Sequence, residues 1–131
     1  SGQVPRLPRL GFSIVDVRDL VDLHILAMTA PEAAGQRFIG SGEFLWASEI
    51  AGALRDRLGD RAARVPTRMA PDFVVRFAAL FSSDLRGLTP SLGKRHEMSS
   101  AKAEAMLAWR ARPARESIVD CAESLIREGL V

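Results

Sequence analysis

Two rhythms of apolar positions alternate along this chain. Phe12 to Val17 is a short apolar, β-branched run, the pattern of a strand. From there the spacing becomes helical. Asp16 or Asp19 is placed to cap the helix, and Arg18, Asp22 and Thr29 form its one polar stripe. The other positions are apolar on nearly every side, with Val17, Leu20, Val21 and His24 on one face and Leu23, Ile25 and Leu26 on others. Such a helix needs cover on more than one face, which a small isolated domain rarely supplies. Thr29-Ala30-Pro31 ends it.

Before this unit, Pro5 and Pro8 keep residues 1–11 irregular. After it, Arg37-Phe38-Ile39 reads as a short buried strand and Gly40-Ser41-Gly42 as a turn. A helix is expected from about Leu45 to Leu58, with Trp46, Ile50, Ala53, Leu54 and Leu58 at helical spacing and Gly59 as its stop. Val65 to Ala70 is extended. Pro71 opens a helix reaching about Arg86, with Phe73, Phe77, Leu80, Phe81 and Leu85 on one stripe. Gly87 to Gly93 is a loop, and Glu97-Met98-Ser99 a brief strand. Ser99 or Ser100 caps a helix running through Leu107. A last helix, from about Ala114 to Glu128, carries the stripe Ile118, Cys121, Ala122 and Leu125. Short strands so far apart cannot make a stable sheet alone, and Arg37–Ile39 in particular lacks a partner in the sequence.

Composition narrows the class. The 131 residues suit one domain; 47% are hydrophobic and 26% charged, as in ordinary globular proteins. No apolar run approaches the ~20 residues that span a bilayer, so no membrane role is expected. The net charge of +2 comes from eighteen basic residues interleaved with sixteen acidic ones. No basic stripe with stacking aromatics emerges, which argues against nucleic acid. Cys121 is the single cysteine, so a reducing, cytoplasmic setting is the default.

Candidate chemistry is sparse. There is no tyrosine. Gly40-Ser41-Gly42 begins like a dinucleotide fingerprint, but Leu45 stands where its third glycine or alanine belongs. His24 and His96 are far apart with no zinc spacing, and His24 is expected to be partly buried and satisfied. Asp16, Asp19 and Asp22 suit capping and pairing with Arg18 better than acid–base work. Cys121 is expected to be a buried small side chain. The phenylalanines Phe73, Phe77 and Phe81 fit either core packing or the apolar wall of a ligand cleft.

Several pieces in order resemble the C-terminal third of an extended short-chain dehydrogenase/reductase. They are Phe12 to His24, Gly35 to Ile39, the helix starting near Leu45-Trp46-Ala47, Pro90 to Gly93, Ser100 to Ala103, Leu107 to Pro113, Glu116 to Asp120 and Gly129 to Val131. The branch is that of dihydroflavonol-4-reductase-like and aldehyde-reductase-like proteins, within the NAD-dependent epimerase/dehydratase superfamily. One departure is Ala108, where the family usually has glycine.

The resemblance implies an α/β fold: the mostly helical C-terminal portion of a Rossmann-type chain, with a few short strands. Arg37–Ile39 would belong to the nucleotide-binding sheet. Residues 1–131 would form the substrate-binding portion, and the half holding NAD or NADP, with its Tyr-x-x-x-Lys pair, would lie outside this chain. The chain alone would then carry no catalytic, cofactor or metal residues. Gly11, Phe12 and Ser13 would border the substrate, with Phe73, Phe77 and Phe81 as its apolar wall. In nucleotide-sugar epimerases of the superfamily, an arginine gripping a diphosphate falls on or near Phe12. A phenylalanine cannot pair with phosphate, which favours a small apolar carbonyl. The expected partner is the missing N-terminal half or another copy of the chain. Two alternatives are a free-standing small helical interaction module and the substrate lobe of an epimerase or dehydratase.

Overall fold

Asp16 converts a strand into a helix. Strand β1 covers Gly11–Ser13 and helix α1 follows over Val17–Thr29. Asp16 stays extended between them, and its carboxylate accepts the Arg18 backbone N–H at 2.9 Å. That satisfies one of the donors a helix start leaves free. The strand is thus shorter than its apolar run, because Val17 is already helical. The structure, a computed structural model, describes residues 6–81 and 83–131, without the side chains of 83–85. The reading of residues 1–5 and of Leu85 lies outside it.

The partner of β1 is β2, Phe44–Trp46, antiparallel in the register Gly11↔Trp46, Phe12↔Leu45 and Ser13↔Phe44. Pairing extends at both ends: Ala47 N–H donates to Leu10 O at 2.8 Å, and Ile14 N–H to Glu43 O at 3.0 Å. The helix expected from Leu45 therefore starts two residues later, as α2 over Ala47–Leu58, since the ladder keeps Leu45 and Trp46 extended. The Glu49 carboxylate accepts the Trp46 N–H at 2.8 Å and closes the helix start. Gly59 ends α2 at φ +53°, as its place after Leu58 predicts.

Two sequence-expected strands do not form. Arg37 and Ile39 are exposed and only Phe38 is half-buried. β1 and β2 are engaged with each other, and the described residues offer Arg37–Ile39 no ladder partner. Glu97–Ser99 is likewise irregular.

The helix expected from Pro71 to Arg86 breaks into α3, Asp72–Ala78, and α4, Ser83–Leu88. The Arg86 guanidinium folds back to donate to Ala79 O and Leu80 O at 3.4 and 3.3 Å, satisfying carbonyls past the end of α3. Val75 is buried against Leu10 and Leu92, and the phenylalanines point away.

Helix α5 covers Ala101–Leu107 and α6 covers Ala114–Arg127. Ala108 ends α5 in the left-handed region, at φ +51° and ψ +23°. The largest core cluster joins Leu23 of α1 to Ala33, Ala103, Leu107 and Trp109. A second packs α2, with the turn that follows it, on α6 through Leu58, Ala62 and Val119. That packing turns Val119, Ala122 and Ile126 inward, so Cys121 is exposed rather than buried as its stripe predicts. His24 is also exposed, with Nδ1 2.7 Å from Leu20 O.

Helix α1 is covered on one face only. Leu23 is buried and Leu20, Leu26 and Ala27 pack on the core. Val17, Val21, Ile25 and Met28 are exposed. Their spacing of four, four and three residues makes them one stripe.

Candidate functional site

The β1 edge presents its three residues in alternation. Phe12 projects outward, 54% exposed, beside the buried Leu45, while Gly11 and Ser13 are half-buried. Gly11 is a glycine for reasons of space, because a Cβ there would collide with the Phe44 ring. Ser13 donates its hydroxyl to His96 O at 3.2 Å. It also lines a cleft of about 620 Å³ with Phe44, Arg95, Ser100 and Arg110. Arg95 stacks 4.9 Å over the Phe44 ring and pairs with Glu97 at 2.6 Å.

The phenylalanines of the other element stand in solvent. Phe73 is 72% exposed, Phe77 65% and Phe81 81%, so none fills the core of this chain. Phe77 and Phe81 meet nearly edge to face at 5.7 Å. Phe12 makes no aromatic pair with them among the described residues. The link between the two groups is one step removed: Leu10, next to Gly11, packs on Val75 of α3.

Gly40 and Gly42 serve packing rather than a phosphate. A Cβ at Gly40 would meet Leu23 and Leu20, and one at Gly42 would meet Ile14 O. Close packing is therefore enough to account for a glycine at each of these two positions.

Electrostatic order concentrates where β1 becomes α1. Asp16 and Asp19 are both buried. Arg18 donates to the Asp16 carboxylate through Nε and Nη2, each at 2.8 Å, and reaches Asp120 on α6 at 2.5 Å. Arg112 grips Asp19 with its fork, Nη2 at 2.7 Å and Nε at 3.0 Å, and donates its backbone N–H at 2.7 Å. Arg112 also lies 3.7 Å from Asp16. The Trp109 indole N–H donates to Asp19 O at 2.7 Å.

The hydrogen bonds from Arg18 hold the Asp16 carboxyl well below the usual carboxylate range, against the opposing effect of burial. Those from Arg112 lower Asp19 in the same way. Arg18 and Arg112 are pushed up in return, chiefly by hydrogen bonds to Asp16 and Asp19 respectively. Pairing of Asp16 with Arg18 agrees with the sequence reading. The partners Trp109, Arg112 and Asp120 were not legible, because 90 to 102 positions separate them from α1.

Beside this cluster an open apolar groove of about 940 Å³ runs between the β1–α1 junction and α6. Ile14, Val17, Ile118, Cys121 and Leu125 line it. Among the described residues no group of His, Cys, Asp and Glu is placed to hold a metal ion. No described helix is long and apolar enough to cross a membrane.

The architecture is a mostly helical α/β fold with a two-stranded antiparallel sheet, and it recurs inside larger solved chains. Gox2253 matches 98% of this chain with a TM-score of 0.73 and 24% identity. Gre2 from Candida albicans matches 98% with a TM-score of 0.69 and 19% identity. The chain spans 41% of the first structure's length and 35% of the second's. At such identities the likeness defines the fold. No protein-family model matches the chain, and no curated protein does.

Proposed function

We propose that residues 1–131 are the C-terminal, substrate-side portion of an NAD(P)-dependent oxidoreductase of the extended short-chain dehydrogenase/reductase type. The branch is the dihydroflavonol-4-reductase-like and aldehyde-reductase-like one. The observation that carries this reading is the exposed stripe Val17, Val21, Ile25 and Met28, in a chain that spans well under half of the solved structures sharing its fold. A nucleotide-binding half laid on that stripe covers it and gives Arg37–Ile39 a sheet to join.

The division of labour follows from the side chains. NAD or NADP, held by the other half, supplies the hydride for an aldehyde or ketone carbonyl. The tyrosine that gives the carbonyl oxygen its proton, and the lysine lowering that tyrosine's pKa, also belong to the other half, since this chain has no tyrosine. Its own residues shape specificity. Gly11, Phe12 and Ser13 border the substrate, and Phe73, Phe77 and Phe81 offer an apolar wall. Phe12 has no charge to give a diphosphate, so a small apolar carbonyl suits this edge better than a nucleotide sugar. A cytoplasmic setting goes with the reading.

The test is an assay of the polypeptide that joins these residues to a glycine fingerprint and a Tyr-x-x-x-Lys pair. NADH or NADPH oxidation should depend on apolar aldehydes or ketones. Absence of carbonyl turnover, or epimerisation of nucleotide sugars in its place, overturns the reading.

A further inference from the structure

We infer that Arg112 is a positioning residue that fixes the β1–α1 junction and with it the outward presentation of Phe12. The inference rests on the reading of Phe12 as a substrate-edge residue. The sheet that carries Phe12 is small. Its two strands have three residues each, a length that specifies register weakly by itself. Side chains alternate along a strand, so a slip of one residue exchanges Phe12 for its neighbour.

What holds the end of this strand lies just beyond it. Asp16, the buried cap of α1, and Asp19, buried in its first turn, both carry negative charge at short range. One guanidinium answers both: Arg112 binds Asp19 at 2.7 Å and sits 3.7 Å from Asp16. The Arg112 backbone N–H and the Trp109 indole add two more bonds, to the Asp19 carboxylate and carbonyl. The junction is therefore anchored to the segment between α5 and α6. At its other end β1 is set by Gly11, which leaves no room for a side chain against Phe44. Phe12 lies between these two fixed points and itself touches neither Arg112 nor Asp19 through any hydrogen bond.

A lysine at 112 keeps the charge but loses the planar fork and its paired bonds. In the full-length reductase, Arg112→Lys should raise KM for the carbonyl about tenfold with kcat within about twofold, the pattern of weakened substrate positioning. Affinity for NAD(P)H should not change. Hydrogen exchange should accelerate in the peptide Gly11–Ile14, whose Ile14 amide bonds to Glu43, and not in α2 or α6. Arg115→Lys, on an exposed neighbour, should change neither reading. An unchanged KM, or exchange that rises equally in β1, α2 and α6, overturns the inference, because the second result marks a purely global loss of stability. If the unmutated protein reduces no carbonyl, the reading of function falls, and local exchange at Gly11–Ile14 alone decides the role of Arg112.

Discussion

Trp109 donates its indole N–H to the backbone carbonyl of Asp19 at 2.7 Å, across 90 positions of sequence. The same aspartate gives its carboxylate to Arg112, three residues after the tryptophan. Asp19 is thus held by both backbone and side chain, and the first turn of α1 is pinned to the chain beyond α5.

Asp19→Asn should weaken this junction most among single changes on α1. It removes an ionic partner from a buried site, where hydrogen bonds to charged groups are worth about 1.5–3 kcal/mol. Urea unfolding should show a loss of about 2 kcal/mol, the lower middle of that range. A change within error would mean that the pair is replaced by water at no cost.

Acid should act through the same two carboxylates. Asp16 and Asp19 titrate below their ordinary value of 3.8 in the folded state. Groups depressed by folding stabilise it above the unfolded pKa, and that contribution is lost as pH falls through the folded value. The urea midpoint should therefore hold through neutral pH and drop below about pH 4, the unfolded carboxylate range. The double variant Asp16→Asn, Asp19→Asn should start lower and show a flatter drop. An equally steep drop in that variant would assign acid sensitivity to other groups.

Ala108→Gly should stabilise the chain. Left-handed backbone costs a residue with a Cβ about 1–2 kcal/mol, partly offset by the greater freedom glycine has when unfolded. With φ at +51°, a net gain of about 0.5–1 kcal/mol is expected in thermal or urea unfolding. A loss of stability would show that the Ala108 methyl packs more usefully than its backbone is strained.

The uncovered α1 stripe should drive association of the isolated chain. Each such side chain is worth about 1.5–3 kcal/mol when fully buried. Sedimentation should show dimers or larger species, and Val21→Glu with Ile25→Glu should shift them toward monomer. A wild-type chain that sediments as a stable, cooperatively folding monomer would refute this.

On the proposed reading, Phe12→Ala in the full-length protein should alter preference among carbonyl substrates more than affinity for NAD(P)H. The side chain projects from β1 and makes no contribution to the clusters of the core. Ratios of kcat/KM for an aromatic and an aliphatic aldehyde, set beside the nucleotide Kd, measure it. Equal effects on both, or on neither, would remove Phe12 from the substrate edge.

Local chemistry was legible in the sequence where it acts locally. The Asp16 cap, the glycine stop after Leu58 and the extent of α1 to Thr29 depend on neighbours a few residues away. The departure at Ala108 was also visible, and the structure gives that residue left-handed backbone, the conformation a glycine adopts without strain. Long-range effects were not legible. Leu45 and Trp46 carry helical spacing, yet pairing with Gly11 and Phe12 holds them extended. Phe73, Phe77 and Phe81 have the spacing of a core stripe, but Val75 is the residue that α3 buries. Nothing near Asp19 announces Arg112. Of the candidate site, Phe12 and Ser13 stand in β1, within the apolar run that reads as a strand, while the pairing of Asp19 with Trp109 and Arg112 left no local trace.

Order of synthesis gives the Asp19 junction a further consequence. A ribosome makes α1 some ninety residues before it makes Trp109 and Arg112. Until then two closely spaced acidic groups, Asp16 and Asp19, have only Arg18 nearby, and Asp120 is later still. Closing such long loops is slow and entropically costly, so α1 in a nascent chain waits, incompletely tethered, for the segment that holds Trp109 and Arg112. A chain arrested before residue 109 would keep the Leu20, Leu23 and Leu26 face of α1 open to chaperones and proteases for the whole delay.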